Sequence, residues 1–456
     1  MKANDSKTAN SNIGFLITMV VMMALGIATP PLATIYDEDL GQKVSEFIVK
    51  SREDLLTPFL GEDSELLARL KRSVREEAVE TSTFVPCNEY NLGQFLSEEN
   101  NVGTHVFCFK DDVIDIYRNS KKTKPLNFHI TDSPFELITF DIIQKSLRIA
   151  PHAKSNTQPY AFFSINGKKI ATEDQFKAES IKDLFNHGMV VLIEGGNWIW
   201  PGIKIGFKRK IDLETGYPSK GKTTIEMETL SMKPLVLSVP GFILEDECDH
   251  IIDVSEKHME YSSVSLMDHD KGRPASDFRT SQSYFLEAED ENLHALEART
   301  ASITRVSKTH QEHTQVLRYG YMQKYDQHLD WFDAALYKND KHTQEMIQYG
   351  KKNRLATVFW YLSDVEKGGH TIFPRFNGAP QPRVFNDCTK GLKVKPEKGK
   401  VIIFYSLLPD GTGDHYSLHG ACPVEEGIKW AANKWVWNDK MQFNKGLETF
   451  LDLPHI

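Results

Sequence analysis

The sequence predicts an α+β protein whose C-terminal part is a double-stranded β-helix, or jelly roll, flanked by helices. Two observations support this prediction. After residue 227 the chain carries widely spaced apolar runs with strand-like composition, including 315–322, 354–362 and 400–407. Glycine and proline turns separate the runs, as in a protein built from two packed sheets. Ahead of this part we expect a small mixed α/β domain and an N-terminal apolar helix.

The chain is long enough for more than one folded unit. It has 456 residues, of which 40% are hydrophobic and 26% charged, an ordinary globular composition. The formal net charge of -9 argues against sequence-independent nucleic-acid binding, because such binding needs a basic face. We expect four segments: an N-terminal signal-anchor or signal peptide (1–35), a charged helical stalk (36–82), a small mixed domain of unknown role (83–216) and the β-helix domain (227–440).

The N-terminus has the pattern of a membrane-targeting signal. Lys2 and Lys7 precede the charge-free run IGFLITMVVMMALGIA (13–28), which Pro30 and Pro31 close. An uncleaved anchor and a cleaved signal peptide both fit, and a buried helix of a soluble domain is a third interpretation. The positive residues before the run and the acidic residues Asp37, Glu38 and Asp39 after it would put the rest of the chain in the lumen. We therefore expect an endoplasmic reticulum or Golgi membrane protein of type II orientation, or a secreted or luminal protein if the signal is cleaved.

The segment between the apolar run and residue 216 changes pattern near residue 83. Residues 36–80 are charged, with apolar residues at helical spacing, which predicts a stalk. Short apolar runs with turn residues follow, among them 105–109, 135–140 and 189–200. These runs predict strands of a small mixed domain.

Five cysteines limit the covalent and metal chemistry that the chain can have. None forms a C-x-x-C pair, so a zinc ribbon has no support. An oxidising compartment permits disulfides, and Cys87 with Cys108 is a plausible bridge within the small domain. The odd count leaves at least one thiol unpaired.

The segment KYDQHLDWF (324–332) contains an H-x-D pair, His328 and Asp330. In a strand, residues i and i+2 share a face, so both side chains can bind one ion. A second histidine from a distant strand would complete a two-histidine, one-carboxylate iron site. The H-x-E pairs His258–Glu260 and His310–Glu312 lie in or beside helical stretches, where we expect surface residues.

The second histidine has two candidates in DHYSLHGACPVEEGIKWAANKW (414–435), His415 and His419. His419 lies 91 residues beyond His328, and Lys429 follows His419 by ten residues. A lysine on the next strand can offer a point cation to the far carboxylate of a small dicarboxylate whose other end chelates the metal.

Between residues 234 and 438 the chain resembles the prolyl 4-hydroxylase family of Fe(II)- and 2-oxoglutarate-dependent dioxygenases. The resemblance lies in the order and spacing of a series of motifs, which is more specific than any one motif alone. The motifs are FRTS (278–281), VLRYGYMQKYDQHLDWF (316–332), RLATVFWYLSDVEKGGHTIFP (354–374), KGLKVKPEKGKVIIFY (390–405), SLHGACPV (417–424) and KWAANKW (429–435).

The resemblance implies a set of ligands and contact residues. Iron would be held by His328, Asp330 and His419, and His419 is favoured over His415 because only His419 has the family's spacing to Lys429. The cosubstrate 2-oxoglutarate would be bound by Lys429, Tyr319 and Thr371, O₂ would be the second cosubstrate, and L-ascorbate would restore oxidised iron. Substrate contacts would come from Arg279, Tyr325, Arg354 and Trp435. The alternative for each arginine is a surface salt bridge, and for each aromatic residue core packing.

The chain departs from the family pattern at positions that bear on the substrate pocket. His370 stands where the family usually has glutamate, and Trp437 stands where a substrate-side histidine is common. FRTSQS replaces the commoner R-T-S-S-G, and no cysteine follows Cys422 to form the late disulfide of some relatives.

The resemblance implies C4 hydroxylation of peptidyl proline in proteins of the secretory pathway, with a proline-containing peptide and the membrane as partners. Because of the departures, the same chemistry on a lysyl residue or on a non-collagen regulatory protein is an alternative. An inactive, membrane-tethered binding protein is a third hypothesis. The sequence makes no prediction about oligomeric state.

Overall fold

The computed structural model describes residues 84–99, 101–110, 113–123, 126–127, 147–148, 159–172, 184, 187–217 and 220–441. The chain divides into two compact units, Met1–Phe84 and Val85–Ile456, and all described residues except Phe84 belong to the second. The predicted N-terminal apolar helix (1–35), the stalk (36–82) and the run 135–140 lie outside the described residues. Within the described ranges, no helix has both the length and the apolar character that a bilayer crossing needs.

Most of the α-helices in the described residues begin at an asparagine or aspartate whose side chain caps the first turn. The described residues include α1 (Glu89–Gly93), α2 (Glu245–Ser255), α3 (Glu291–Thr304) and α4 (Lys341–Met346). The Asp290 side chain caps α3 by accepting a hydrogen bond from the Leu293 N–H. Acidic residues in the first turn of α2 complement its dipole.

An antiparallel sheet occupies the predicted small domain. Its strands are β1 (Thr104–Lys110), β2 (Val113–Arg118), β3 (Lys121–Lys122), β4 (Leu126–Asn127), β5 (Ala161–Phe163), β6 (Lys169–Thr172) and β7 (Met189–Ile193). Their order is β3-β2-β1-β7-β5-β6, with β4 beside β2. The predicted run 105–109 lies within β1, and the predicted run 189–200 begins with β7, so both contribute strands to one sheet, although 194–200 is not strand.

The rest of the chain builds the sheets that carry the candidate site. The strands, in chain order, are β8 (Lys208–Glu214), β9 (Lys222–Met232), β10 (Leu235–Val239), β11 (Glu260–Tyr261), β12 (Gln282–Leu286), β13 (Thr314–Tyr319), β14 (Tyr325–His328), β15 (Arg354–Tyr361), β16 (Lys367–Gly368), β17 (Thr371–Phe373), β18 (Leu392–Val394), β19 (Val401–Tyr405), β20 (His419–Ala421), β21 (Val424–Glu426) and β22 (Lys429–Trp437). The large sheet has the order β11-β12-β13-β22-β15-β19-β10-β9-β8, the small sheet has the order β14-β20-β17-β18, and β16 pairs with β21.

Successive side chains of a strand point to opposite faces of a sheet, so neighbouring residues of the large sheet pack in two different cores. Phe359 of β15 packs with Phe373 of β17 in the core shared by the large and small sheets. Its neighbour Val358 belongs to a second core, together with α2, α3 and one face of the N-terminal sheet. The space between the large and small sheets is where the predicted site residues meet.

The region predicted as a domain boundary, 216–227, lies inside the large sheet. Strand β8 belongs to the predicted small domain, yet it pairs along its length with β9. Val106 and Val191 of the N-terminal sheet share a hydrophobic core with Val358. Burial of these apolar side chains joins the N-terminal sheet to the large sheet.

Two disulfides are present among the described residues. The Cys87–Cys108 bridge joins the segment before α1 to β1 and confirms the predicted pair. The Cys388–Cys422 bridge, which the sequence did not predict, ties the segment before β18 to the end of β20. Cys248 is the buried free thiol that the odd count requires.

Candidate metal centre and cosubstrate pocket

Paired strands of the small sheet bring the two histidines together. His328 ends β14, His419 begins β20, and the two residues are register partners. Asp330 follows the end of β14, and its carboxylate oxygens lie 3.6 Å from each histidine Nε2. One ligand atom from each of the three residues lies within 4.8 Å of the others. The structure therefore brings the three predicted iron ligands into one cluster.

Backbone carbonyls orient both imidazoles toward this cluster. The Nδ1 of His328 lies 2.8 Å from the Asp326 carbonyl, and the Nδ1 of His419 lies 2.9 Å from the Ser417 carbonyl. A carbonyl only accepts, so each Nδ1 carries the proton and each Nε2 presents its lone pair to the cluster. Burial lowers the pKa of His419 to about 4, so that ring is neutral at pH 7.

A cross-strand pair holds the carboxylate of Asp330. Thr357 of β15 and Trp435 of β22 are register partners, and both donate to Oδ2, with distances of 2.6 Å from Thr357 Oγ1 and 2.9 Å from Trp435 Nε1. Burial alone would raise the pKa of Asp330, but His419 and His328 outweigh it and hold the pKa well below its usual range. Asp330 is an ionised, fixed ligand.

Two imidazole nitrogens and one carboxylate fit a non-haem Fe(II) ion, for which this donor set is typical. The competing residue His415 is exposed and packs against Trp331, with ring centroids 5.1 Å apart. The two H-x-E pairs are engaged elsewhere: His258 stacks on Tyr284, and His310 contacts the Trp437 carbonyl.

Lys429, the first residue of β22, is fully buried between the sheets. Its Nζ donates to the Gly369 carbonyl at 2.8 Å and lies 5.3 to 5.7 Å from the ring centroids of Tyr319, Phe359 and Tyr361. Among the described residues no carboxylate pairs with it. Burial lowers the pKa of Lys429 to about 7. A buried cation without an anionic partner fits the far carboxylate of a dicarboxylate ligand.

The other two predicted cosubstrate residues lie beside Lys429. Tyr319 of β13 is the register partner of Lys429, and burial raises the pKa of its hydroxyl. Thr371 of β17 accepts a hydrogen bond from the Tyr361 hydroxyl at 2.8 Å. Residues from the large and the small sheet thus surround one polar pocket.

The Tyr325 ring stacks on the His328 ring of the metal cluster, and the Arg279 guanidinium stacks on the Tyr325 ring. The Tyr325 ring lies 3.7 Å from the His328 ring, with a 22° interplanar angle. The Arg279 guanidinium lies 4.6 Å from the Tyr325 centroid, and its Nε donates to Ser281 Oγ at 2.8 Å. Burial raises the pKa of Tyr325 to about 12, so its hydroxyl remains protonated.

Arg354 and Trp435 form a second stacked pair, and Trp435 also contacts Asp330 of the metal cluster. The Arg354 guanidinium lies 3.5 Å from the Trp435 centroid and donates to both Glu312 oxygens, at 2.5 and 2.9 Å. Trp437 donates its indole N–H to Glu312 at 2.6 Å. The salt bridge that was the alternative for Arg354 is therefore present in this pair, and substrate contact by Arg354 and Trp435 stays a prediction.

Comparisons with known proteins agree with this geometry. Residues 314–437 match the 2OG-Fe(II) oxygenase superfamily. Probable prolyl 4-hydroxylase 7 of Arabidopsis thaliana is 38% identical over 232 residues, which cover 50% of this chain and 70% of the relative. Prolyl 4-hydroxylase 2 of the same plant is 37% identical over 231 residues, covering 49% of this chain and 73% of the relative.

A similar solved structure is the viral collagen prolyl hydroxylase of Paramecium Bursaria Chlorella virus-1 in its 2OG complex. It is 27% identical, with a TM-score of 0.31, and the match covers 44% of this chain and 95% of that one. The site and the matching domain define a 2-oxoglutarate-dependent dioxygenase that uses Fe(II) and O₂. The chain belongs to the prolyl 4-hydroxylase family.

Proposed function

We propose that this protein hydroxylates C4 of peptidyl proline in proteins of the secretory pathway. One 2-oxoglutarate, one O₂ and the prolyl C–H bond give succinate, CO₂ and hydroxyproline. One atom of O₂ enters succinate, and the other enters the hydroxyl group of hydroxyproline. When bound, iron and 2-oxoglutarate supply the oxidising chemistry. The observation that carries the proposal is that His419 of the metal cluster and Lys429 both pack on aromatic rings of the core between the two sheets, Phe404 and Phe359 respectively, and that no carboxylate among the described residues pairs with Lys429.

The residues of the chain bind and orient the reactants. His328, Asp330 and His419 would hold the metal, and Lys429 would neutralise the far carboxylate of 2-oxoglutarate. Tyr319 and Thr371 bring hydroxyl groups to the same pocket. The surrounding apolar side chains, among them Phe359 and Phe373, keep water out. We further propose that the large and small sheets constitute a double-stranded β-helix.

The substrate would contact the two stacked pairs beside the metal cluster. Arg279 over Tyr325 forms one pair, and Arg354 over Trp435 forms the other. Each guanidinium can donate to a peptide carbonyl, and aromatic faces suit the flat, apolar proline ring.

The proposed compartment has support from a feature separate from the site. Cys87–Cys108 and Cys388–Cys422 are disulfides, and such bonds persist in oxidising compartments. The apolar run 13–28 supports an N-terminal membrane anchor or signal. In this setting L-ascorbate would restore iron that is oxidised without substrate turnover.

The test is turnover of defined peptides by the purified full-length protein with Fe(II), 2-oxoglutarate and O₂. We expect a proline-containing peptide to gain one oxygen atom, located on the proline ring by fragmentation, with an equal amount of succinate. Oxygen on lysine would support the lysyl alternative, and absence of both products would overturn the proposal.

Two histidine variants make this test specific. His328→Ala should abolish both products, because it removes a metal ligand. His258→Ala, which alters the histidine of an H-x-E pair stacked on Tyr284, should retain them. Equal activity of the two variants would contradict the assigned metal centre.

A further inference from the structure

A loop of the N-terminal sheet region is connected, through intermediate residues, to the segment that carries Asp330. Residues 195–197, Gly-Gly-Asn, follow β7 and will be called the support loop. The loop makes two separate sets of contacts with the part of the chain after residue 350. The first set leads to Trp331 and the second to Phe332. These are the two residues directly after Asp330.

The first set runs through the turn after β19. Gly195 N–H donates to the Pro409 carbonyl at 2.7 Å, and a Cβ on Gly195 would lie 2.8 Å from Gly411 N. At the other end of this turn, a Cβ on Gly413 would lie 2.6 Å from the Trp331 ring. The backbone of the support loop therefore packs directly on the backbone of the turn at Gly411. At the other end of the turn, the backbone at Gly413 packs on the Trp331 indole.

The second set is a chain of buried asparagine amides. Asn197 Nδ2 donates to the Asn438 carbonyl at 3.0 Å, and Asn438 Oδ1 accepts from Asn353 N–H at 2.8 Å. Asn353 then accepts from Phe332 N–H at 2.9 Å and donates to the Phe332 carbonyl at 2.8 Å. All three asparagines are buried, so water does not readily replace these bonds.

We propose that the support loop positions Asp330 for metal binding, so that the N-terminal sheet region is an integral part of the catalytic unit. The Trp331 indole N–H also donates to the Asp414 carbonyl at 3.3 Å, which joins the turn to the same segment. Partners of metal ligands that fix ligand orientation commonly change metal affinity by about 10- to 100-fold when altered. Gly195 and Asn197 are positioning residues, because neither touches the cluster.

The proposal rests on the proposed metal centre, and two variant pairs test it in the full-length protein. Gly195→Ala is paired with Gly93→Ala: neither glycine has a positive φ, and a Cβ on Gly93 would meet nothing within 4 Å. Asn197→Leu is paired with Asn91→Leu, which also removes a side-chain hydrogen bond to a carbonyl, 2.8 Å long, but within the α1 region.

Two measurements are made on each variant: the dissociation constant of Mn²⁺, and hydrogen–deuterium exchange of residues 329–334 in the metal-free protein. We expect Gly195→Ala and Asn197→Leu to raise the Mn²⁺ dissociation constant about 10-fold. They should also speed exchange in 329–334 while exchange in β1 and β7 stays as in the wild type. The two control variants should match the wild type.

Two results would overturn the proposal. One is that both support-loop variants equal their controls in Mn²⁺ affinity and in exchange. The other is that exchange rises equally in 329–334, β1 and β7, which would show a general loss of stability. Failure of the wild-type protein to bind Mn²⁺ would instead count against the proposed metal centre, and the exchange data would still test the support loop.

Discussion

The two ends of the active-site pocket differ in how completely the protein satisfies its own charges. At the metal end, Asp330 receives hydrogen bonds from Thr357 and Trp435, and two imidazoles lie beside it. At the cosubstrate end, Lys429 has a carbonyl and aromatic rings around it but no carboxylate partner among the described residues. At the metal end, the fold itself supplies the partners of the Asp330 carboxylate. At the cosubstrate end, the anionic partner of Lys429 must come from the bound ligand.

The largest effect is expected at the metal end. Asp330→Asn keeps the size of the side chain but removes its charge, so we expect turnover to fall by at least about 1,000-fold with loss of Mn²⁺ binding. Asp364→Asn is the matched control, because the Asp364 side chain accepts a hydrogen bond from the Lys398 N–H, away from the metal cluster. Retained Mn²⁺ binding by Asp330→Asn would contradict the assigned ligand set.

Lys429→Met should separate the two ends. We expect the KM for 2-oxoglutarate to rise about 100-fold, within the range for removing one partner of a buried charge pair, while Mn²⁺ affinity stays unchanged. The variant without cosubstrate should unfold at the same or a higher temperature than the wild type, because it no longer buries an unpaired amine.

Lys434→Met is the control for Lys429→Met, since Lys434 is equally buried in β22 but pairs with Glu297 at 2.8 Å. It should unfold at a lower temperature, because Glu297 loses its partner, and keep the wild-type KM for 2-oxoglutarate. If the two lysine variants changed KM alike, the role of Lys429 would be refuted.

Trp435→Phe tests the support of the metal end. It removes the indole N–H that donates to Asp330 Oδ2, so we expect the Mn²⁺ dissociation constant to rise about 10-fold. Trp430→Phe changes a buried indole of the same strand on the face away from Asp330 and should leave the constant unchanged. An unchanged constant for Trp435→Phe would leave Thr357 as the effective donor to that oxygen.

The smallest effect is the pH dependence of 2-oxoglutarate binding. The pKa of Lys429 is lowered to about 7 by burial, so the charged form that binds a dianion is lost as pH rises through 7. The dissociation constant of Mn²⁺-loaded protein for 2-oxoglutarate should rise about five-fold from pH 7 to pH 8. Lys429→Arg should show a flatter profile, because arginine stays charged over this range.

Local spacing with a chemical reason predicted His328, Asp330 and Lys429, whereas the choice of His419 and the roles of the other pocket residues came from the family resemblance. His328 and Asp330 stand two residues apart, and Lys429 follows His419 by ten. The strands 354–361 and 401–405 likewise lie within predicted apolar runs, and the strand 314–319 overlaps the run 315–322. Local pattern is sufficient where residue spacing itself sets the geometry.

Contacts between distant segments could not be predicted in this way. Thr357 donates to Asp330 only because β15 and β22 pair in one particular register, and a threonine in an apolar strand carries no signal of that role. The Cys388–Cys422 bridge and the contacts of the support loop depend on the same long-range packing. The predicted boundary at 216–227 followed a turn-rich composition that the structure places between two paired strands.

The central claim is that one pocket combines a metal cluster with a single buried cation for the dicarboxylate. Titration of 2-oxoglutarate into full-length protein at pH 7, with and without Mn²⁺, tests this most directly. We expect one equivalent to bind per Mn²⁺ in the wild type, and markedly weaker binding without metal or in Lys429→Met. Equal binding by the wild type, Asp330→Asn and Lys429→Met would contradict the account.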